Sequence, residues 1–258
     1  MYTIIYFSPT GNTKYIAEYM KINLDEVYTK ILKLEFLDEA EIEEDEQLTL
    51  MYPIHGFNAP RTVKRFVKKL PEKLFDQVHL IAVGCNNLWV NDAVSLDLRR
   101  QFKKKNYDIG VDEILAMPLT FIMSFPEDAI FKSIAESKKK VAEIITQIKE
   151  KIPTVKKIKL MPKIINFVGK AESPAARMFG LELHAKKGCI SCGICWENCP
   201  EGNIKPNKNG IPKFAFKCEM CMRCIYSCPV KVITPRISKF IPIKAGYNID
   251  NYKKESNS

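Results

Sequence analysis

Apolar positions in the first 150 residues recur in two alternating rhythms. Residues 2–7, YTIIYF, are an apolar, aromatic and β-branched run, the pattern of a buried strand. SPTGNT follows as a turn, and KYIAEYMKI then spaces Ile16, Tyr19 and Met20 as a helix does. VYTKILKL alternates as a second strand, LTLMYPI reads as a third, QVHLIAVG as a fourth, and GVDEILAMPL holds a fifth. Between them lie two helical patterns: RTVKRFVKKL, with Pro60 at its first position, and NDAVSLDLRRQFKKKN, with Asn91 or Asp92 near its cap. A long amphipathic helix, PEDAIFKSIAESKKKVAEIITQIKEKI, ends the series. The acidic stretch from Glu35 to Gln47 is polar and reads as a solvent-facing loop with a helical turn. Strands alternating with helices predict a parallel sheet covered on both faces. Five such units over residues 1–152 predict a doubly wound α/β domain with a five-stranded sheet.

The rhythm stops at Pro153. Residues 153–182 are basic, broken by proline and glycine, and read as a linker with partial helix; a cysteine-dense region over 183–240 and a tail over 241–258 follow. Charge divides at the same place. Residues 1–150 hold 20 basic and 23 acidic residues, a net of −3, while residues 151–258 hold 20 basic and 7 acidic, a net of +13. Such asymmetry points to a partner or a bound anion. The overall composition, 46% hydrophobic and 27% charged, is that of a soluble globular protein, and no apolar run approaches a membrane span. The start, MYTIIYFSPTGN, lacks a charged region and a small-residue cleavage site, so it is expected to be mature sequence in a cytoplasmic protein.

Two stretches carry chemistry. Ser8, Pro9, Thr10, Gly11, Asn12 and Thr13 stand at the carboxyl end of the first strand and open a helix. Doubly wound sheets bind ligands there, and a helix N-terminus offers unsatisfied N–H groups and partial positive charge. Hydroxyls at 8, 10 and 13 add donors, so the loop is a nest for a phosphate monoester. No G-x-G or G-x-x-x-x-G-K-[ST] occurs, which removes the dinucleotide and P-loop fingerprints, and Ser8 stands where a phosphatase would need its cysteine. SPTGNT resembles the phosphate loop of flavodoxins, written S/T-x-T-G-N-T, which binds the phosphate of FMN. That resemblance implies two loops flanking the flavin ring: Pro53, Ile54, His55, Gly56, Phe57 and Asn58 after the third strand, and Gly84, Cys85, Asn86, Asn87 and Trp89 after the fourth. Trp89 and Phe57 would stack on the ring, His55 would hydrogen-bond to it, and Cys85 would be a small apolar filler.

The second stretch explains the cysteines. Eight of nine fall between 189 and 228, where a chain without a secretory leader uses them as metal ligands. CISCGICWENCP and CEMCMRCIYSCP both give C-x2-C-x2-C-x3-C-P, an internal repeat offset by 29 residues. Thiolates select iron–sulfur clusters, zinc or copper(I). Zinc sites use separated pairs, whereas this run wraps three irons of a cubane and sends its fourth cysteine to the other cluster. The spacing therefore predicts one [4Fe–4S] cluster on Cys189, Cys192, Cys195 and Cys228, and another on Cys218, Cys221, Cys224 and Cys199. Residues 183–236 resemble a two-cluster bacterial ferredoxin, a small α+β domain. Two bound clusters would lower the +13 to about +9, and the excess suits an acidic redox partner protein; no nucleic-acid-binding motif accompanies the basic residues. KKIKLMPKIINFVGK is basic and partly apolar as a membrane-surface segment would be, but its proline and glycine interrupt it.

As a whole the chain resembles the flavodoxin–ferredoxin fusions, a flavodoxin-like domain followed by a ferredoxin-like one. The resemblance implies an electron carrier working between FMN, two [4Fe–4S] clusters and a partner protein. A flavin reductase of a quinone or nitro compound, and a redox-sensing binding protein, share the same fold and cofactors and stand as alternatives.

Overall fold

The computed structural model describes residues 1–37, 42, 45–85 and 88–252. Six strands, β1 (Tyr2–Tyr6), β2 (Thr29–Lys33), β3 (Asp45–Pro53), β4 (Phe75–Gly84), β5 (Asp108–Ala116) and β6 (Thr154–Val155), form one parallel sheet in the order β2-β1-β3-β4-β5-β6. Successive side chains of a strand point to opposite faces. Ile4 and Tyr6 therefore join a core under α1 (Asn12–Asp25) and α4 (Glu127–Lys149), with Met20, Val141 and Ile144. Ile5 and Phe7 join the opposite core under α2 (Arg61–Lys69) and α3 (Leu96–Lys104), with Val63, Leu98 and Phe102.

Three expectations need correction. The sheet has six strands rather than five, because β6 adds Thr154 and Val155 beside Val111 and Asp112 of β5. Two residues are too few to show a period of two. Pro60 is the N-cap of α2 rather than its first residue. The helix after β4 starts at Leu96 behind Ser95, while Asn91 ends a 3-10 turn, Trp89–Asn91. Ser95 makes no capping bond; its hydroxyl donates to the buried Asp112 at 2.5 Å, and Arg99 pairs with the same carboxylate. Of the acidic stretch, 38–41 and 43–44 lie outside the described residues, Glu35 falls in a 3-10 turn, Leu34–Phe36, and 45–47 begin β3.

The segment read as a linker is built: after β6 come α5 (Leu160–Gly169) and α6 (Glu172–Glu182). The cysteine-rich part is a small α+β unit. In it β7 (Leu183–Ala185) pairs antiparallel with β10 (Ile233–Pro235), and β8 (Ile204–Pro206) with β9 (Pro212–Phe214). Its one-turn helices are α7 (Ile194–Glu197) and α8 (Arg223–Tyr226). Beyond β10 the chain returns to the first sheet, where Ile249 is buried against the α1–α4 core. Among the described residues no helix is long and apolar enough to cross a membrane.

Candidate cofactor sites

The loop between β1 and α1 turns on Gly11, at φ 101°, a left-handed conformation that a side chain disfavours. A Cβ there would also lie 2.7 Å from Cγ2 of Ile249. The first N–H groups of α1 have no acceptor within the helix and face the same end as its partial positive charge. Thr10, Asn12 and Thr13 line the cleft at this end, with Pro9. Ser8 is turned to the helix instead, its Oγ accepting the Lys14 N–H at 3.0 Å. The Asn12 side chain braces the loop: Nδ2 donates to the Pro118 carbonyl at 2.8 Å, and Oδ1 accepts the Tyr247 hydroxyl at 2.6 Å.

The cleft, about 660 Å³ counting its space open to solvent, lies beyond the carboxyl ends of the strands, where doubly wound sheets bind ligands. Pro53, Ile54 and His55 line it from the end of β3, and Val83, Gly84 and Cys85 from the end of β4. Gly56, Phe57, Asn58 and Trp89 do not, and Asn86 and Asn87 lie outside the described residues. Phe57 is 40% and Trp89 56% exposed, so the aromatic pair picked out for stacking faces solvent. The reason lies in the segment read as a linker. Asn58 is buried against α5, its Nδ2 donating to the Asn166 carbonyl at 2.9 Å. Gly56 passes so close to α6 that a Cβ would sit 1.9 Å from Glu172 Oε2. The loop after β3 is thereby held back from the cleft.

Sequence reasoning missed two walls. Met117, Pro118, Leu119, Thr120 and Phe121 follow β5 and complete the row of strand ends. The rule that ligands lie beyond the carboxyl ends of the strands already pointed to them. Glu172 and Met220–Met222 come from the second half, and no local pattern marks them.

A flavin nucleotide fits this donor set. Nδ1 of His55 is enclosed without a partner, and the ring packs edge-on against Phe7 at 6.4 Å. Burial, reinforced by Arg61, pushes the imidazole down to about 4, so near neutrality it is an uncharged hydrogen-bonding group. Burial also raises the Cys85 thiol, which suits a filler rather than a nucleophile.

Glu172 is the acid of the cleft. Burial raises its carboxyl to about 7 against the lowering influence of Arg61 and Lys64. Its folded pKa lies above the ordinary value of 4.5, so the native state holds its proton longer than the unfolded chain. Stability from this group is present below pH 4.5 and is lost as pH rises towards about 7, at most about 3 kcal/mol. Glu172→Gln should flatten denaturant-measured stability across that window; an unchanged slope would show that Glu172 titrates normally.

The thiols gather around two further cavities. One, of about 430 Å³, is lined by Cys199, Cys218, Cys221 and Cys224. The other, of about 320 Å³, is lined by Cys189, Cys192, Cys195 and Cys228. Each set takes three cysteines from one motif and the last from the other. The backbone repeats with the sequence: Ser191 and Gly193 have φ of 55° and 86°, and Met220 and Met222, 29 positions on, 52° and 61°. These left-handed residues wrap each motif around its cavity before α7 and α8. N–H groups meet sulfur as well, Asn203 to Cys199 and Met220 to Cys218, both at 3.3 Å. Burial pushes the Cys195 and Cys218 thiols up to about 11, and Cys221 and Cys224 further, so these groups ionise only against strong positive charge. No three metal-ligating side chains among the described residues are close enough for a single ion. One zinc would need its sulfurs at about 2.3 Å. Thiols set in fours around two separate cavities fit a polynuclear cluster in each.

The cleft and the larger cavity share a wall: Met220, Cys221 and Met222 line both. Buried polar contacts fix it. Glu219 accepts the Arg61 and Thr62 N–H groups, the latter at 3.2 Å, and so caps α2. Thr62 Oγ1 lies 2.6 Å from Glu201 and 2.9 Å from Glu219. The Thr62 hydroxyl is thus shared between two carboxyls. Burial, with the Glu201 charge, raises Glu219 to about 7. Arg223 joins the halves from the other side through Ser8, Pro9, Glu35 and Asn198.

Residues 3–107 match the family model for a flavodoxin domain, and residues 182–229 that for a 4Fe-4S dicluster domain. The pyruvate synthase subunit PorD of Methanocaldococcus jannaschii is 40% identical over 47 residues, 18% of this chain and 55% of PorD. The chain thus spans about half the length of that curated relative. Among solved structures, Fusobacterium nucleatum flavodoxin bound to flavin mononucleotide is 19% identical, covering 58% of this chain and 98% of its own, at a TM-score of 0.43. A flavodoxin from the domain Archaea is 13% identical, covering 58% and 99%, at a TM-score of 0.39. With residues 3–107 matched to one model and residues 182–229 to the other, the chain carries a flavodoxin domain followed by a 4Fe–4S dicluster domain.

Proposed function

We propose that the protein is an intracellular electron carrier connecting FMN, two [4Fe–4S] clusters and an external acidic redox protein. The observation that carries this reading is the shared wall: Cys221 lines both the flavin cleft and the larger thiol cavity. When bound, the flavin supplies two-electron capacity that can be exchanged singly, and each cluster supplies one-electron capacity. Cys199, Cys218, Cys221 and Cys224 would hold the cluster next to the cleft; Cys189, Cys192, Cys195 and Cys228 would hold the outer one. Cys192 is exposed, which suits an exit at that end. Lys186, Lys187 and Lys231 stand within a few positions of those ligands and suit an acidic partner. Met220–Met222 form part of the wall of the cleft and leave less of it open to a small substrate, which favours a carrier over a reductase.

The test is stopped-flow mixing under argon of reconstituted protein carrying about eight iron, eight sulfide and one FMN. An acidic ferredoxin or flavodoxin should exchange electrons fast, with a rate that falls steeply as the Debye length shrinks from about 30 Å at 0.01 M salt to about 10 Å at 0.1 M. NADPH alone should leave the flavin oxidised, because the dinucleotide fingerprint is absent. Rapid bleaching by NADPH would replace the carrier by an enzyme.

Thr10 is assigned to the FMN phosphate. Thr10→Asp would set a carboxylate beside the dianion in a nest of donors and should weaken FMN binding by several kcal/mol in rough terms, with iron content near wild type. Flavin fluorescence titration measures the first and iron analysis the second. Unchanged affinity would move the phosphate elsewhere.

A further inference from the structure

The stretch Lys151–Ala171 holds six lysines and no acidic residue. Its proline and glycine do not interrupt a helix. Pro162 is the third residue of α5, where no intrahelical N–H is needed, and Gly169 is the last. The helix is inside out. Its buried residues are Pro162 and the polar Asn166. Leu160 (73% exposed), Met161, Ile164, Phe167 (74%) and Val168 face outward. Asn166 accounts for the inner side, because its Nδ2 reaches the Phe57 carbonyl at 3.0 Å and Asn58 Oδ1 and the Ala93 carbonyl at 2.9 Å. Folding alone would turn the apolar side inward, so the outer side calls for an occupant.

The charges around this face say which. Lys156 pairs with Glu113 and Lys170 with Asp97, but Lys157, Lys159 and Lys163 make no ion pair with a described residue. Protein interfaces favour arginine, tyrosine, tryptophan, phenylalanine and methionine and deplete lysine. Of the favoured types the segment 151–171 holds only Met161 and Phe167, and its six charges are all lysine. That is the make-up of a helix lying in a lipid headgroup layer. Ten residues span only about 15 Å, too short to cross a bilayer but enough to lie on one.

We propose that α5 docks the protein on an anionic phospholipid surface, with Leu160, Ile164, Phe167 and Val168 seated among the acyl-chain ends and Lys157, Lys159 and Lys163 against the headgroup phosphates. This docking stands apart from the electron-carrier reading and holds for either direction of flow.

Co-sedimentation of the full-length holoprotein with vesicles tests it, comparing pure phosphatidylcholine with vesicles containing about 30% phosphatidylglycerol. The anionic vesicles should bind about tenfold or more better, and the gain should disappear as salt rises to about 0.5 M. Lys157→Glu/Lys159→Glu/Lys163→Glu should lower that partition about 100-fold or more, since each lysine near an anionic surface is worth roughly fivefold. Ile164→Glu/Phe167→Glu should abolish it at any salt. Both sets lie on exposed positions, and unchanged circular dichroism and flavin content verify folding. Absence of binding to anionic vesicles, or equal binding by the variants, overturns the proposal. So does a lipid-free homodimer, or a lipid-free complex with an acidic protein, that Ile164→Glu/Phe167→Glu dissociates while vesicles bind nothing.

Discussion

Serine in place of Cys199 is expected to empty the cavity of the other motif. Cys199 ends the first cysteine run, yet its thiol faces the cavity lined by Cys218, Cys221 and Cys224. An alkoxide is a far poorer partner for iron than a thiolate, and these thiols are already hard to ionise without metal. The variant should therefore lose about half of its iron, from roughly eight to roughly four per chain. The cluster that remains should be the one on Cys189, Cys192, Cys195 and Cys228, and Cys228→Ser should give the reverse pattern. Electron paramagnetic resonance of the reduced variants distinguishes them, since the spin–spin coupling between two neighbouring clusters disappears and one uncoupled signal remains. Should Cys199→Ser instead damage the site of Cys189, Cys192 and Cys195, ligation would follow the motifs and the exchanged arrangement would be wrong. Flavin exchange with the surviving cluster should also slow, because Cys221 belongs to the cavity beside the cleft.

The parts of this molecule that were legible from sequence are those governed by short-range rules. The β1 run and the Gly11 turn are local, and so is the spacing of each cysteine motif, which dictates how the backbone curls around a cavity. Even the placing of Cys199 and Cys228 beside the other motif's cavity follows from a spacing rule, because Pro200 and Pro229 stand just where the chain must turn away. Strand count failed on β6, whose two residues pair only because α4 delivers them to the edge of β5. Trp89 and Phe57 looked like stacking residues because aromatic side chains in ligand loops often are. The place of Phe57 depends on Asn166 and Glu172, more than 100 positions away in the chain, which hold the loop after β3 back. Contacts between distant segments leave no periodic trace. The Met220–Met222 wall of the cleft was hidden for the same reason: the cysteine motif announces its iron, and nothing in it announces that its outer surface faces a flavin site.

The contact that sets those two sites side by side is predicted to be the most sensitive point of the fold outside the ligands. Arg223 is buried, 7% exposed, over the Phe7 ring at 5.7 Å. It donates to the Ser8 carbonyl at 2.8 Å, the Asn198 carbonyl at 3.1 Å and the Pro9 carbonyl at 3.4 Å, and pairs with Glu35. One guanidinium thus ties the loop between β1 and α1 to the end of the first cysteine motif. Glu35 depends on it: its side chain is 3% exposed, and its other oxygen is buried with no partner. Arg223→Met keeps the length and apolar stem but leaves that carboxylate buried and unpaired, a loss of about 3–5 kcal/mol. In a chain of this size the first thermal transition should fall by about 6 °C or more. FMN should also bind more weakly, since Ser8 and Pro9 lose their anchor. Arg223→Met/Glu35→Gln should recover much of the stability, because the uncompensated charge is gone, while the weakened FMN binding should persist. Iron must be measured in both variants, since Arg223 lies between Cys221 and Cys224. An unchanged transition in Arg223→Met with full iron and flavin would mean that the two domains are held by Glu201, Glu219 and α2 alone. A double variant no better than the single one would place the cost in the lost carbonyl contacts rather than in Glu35.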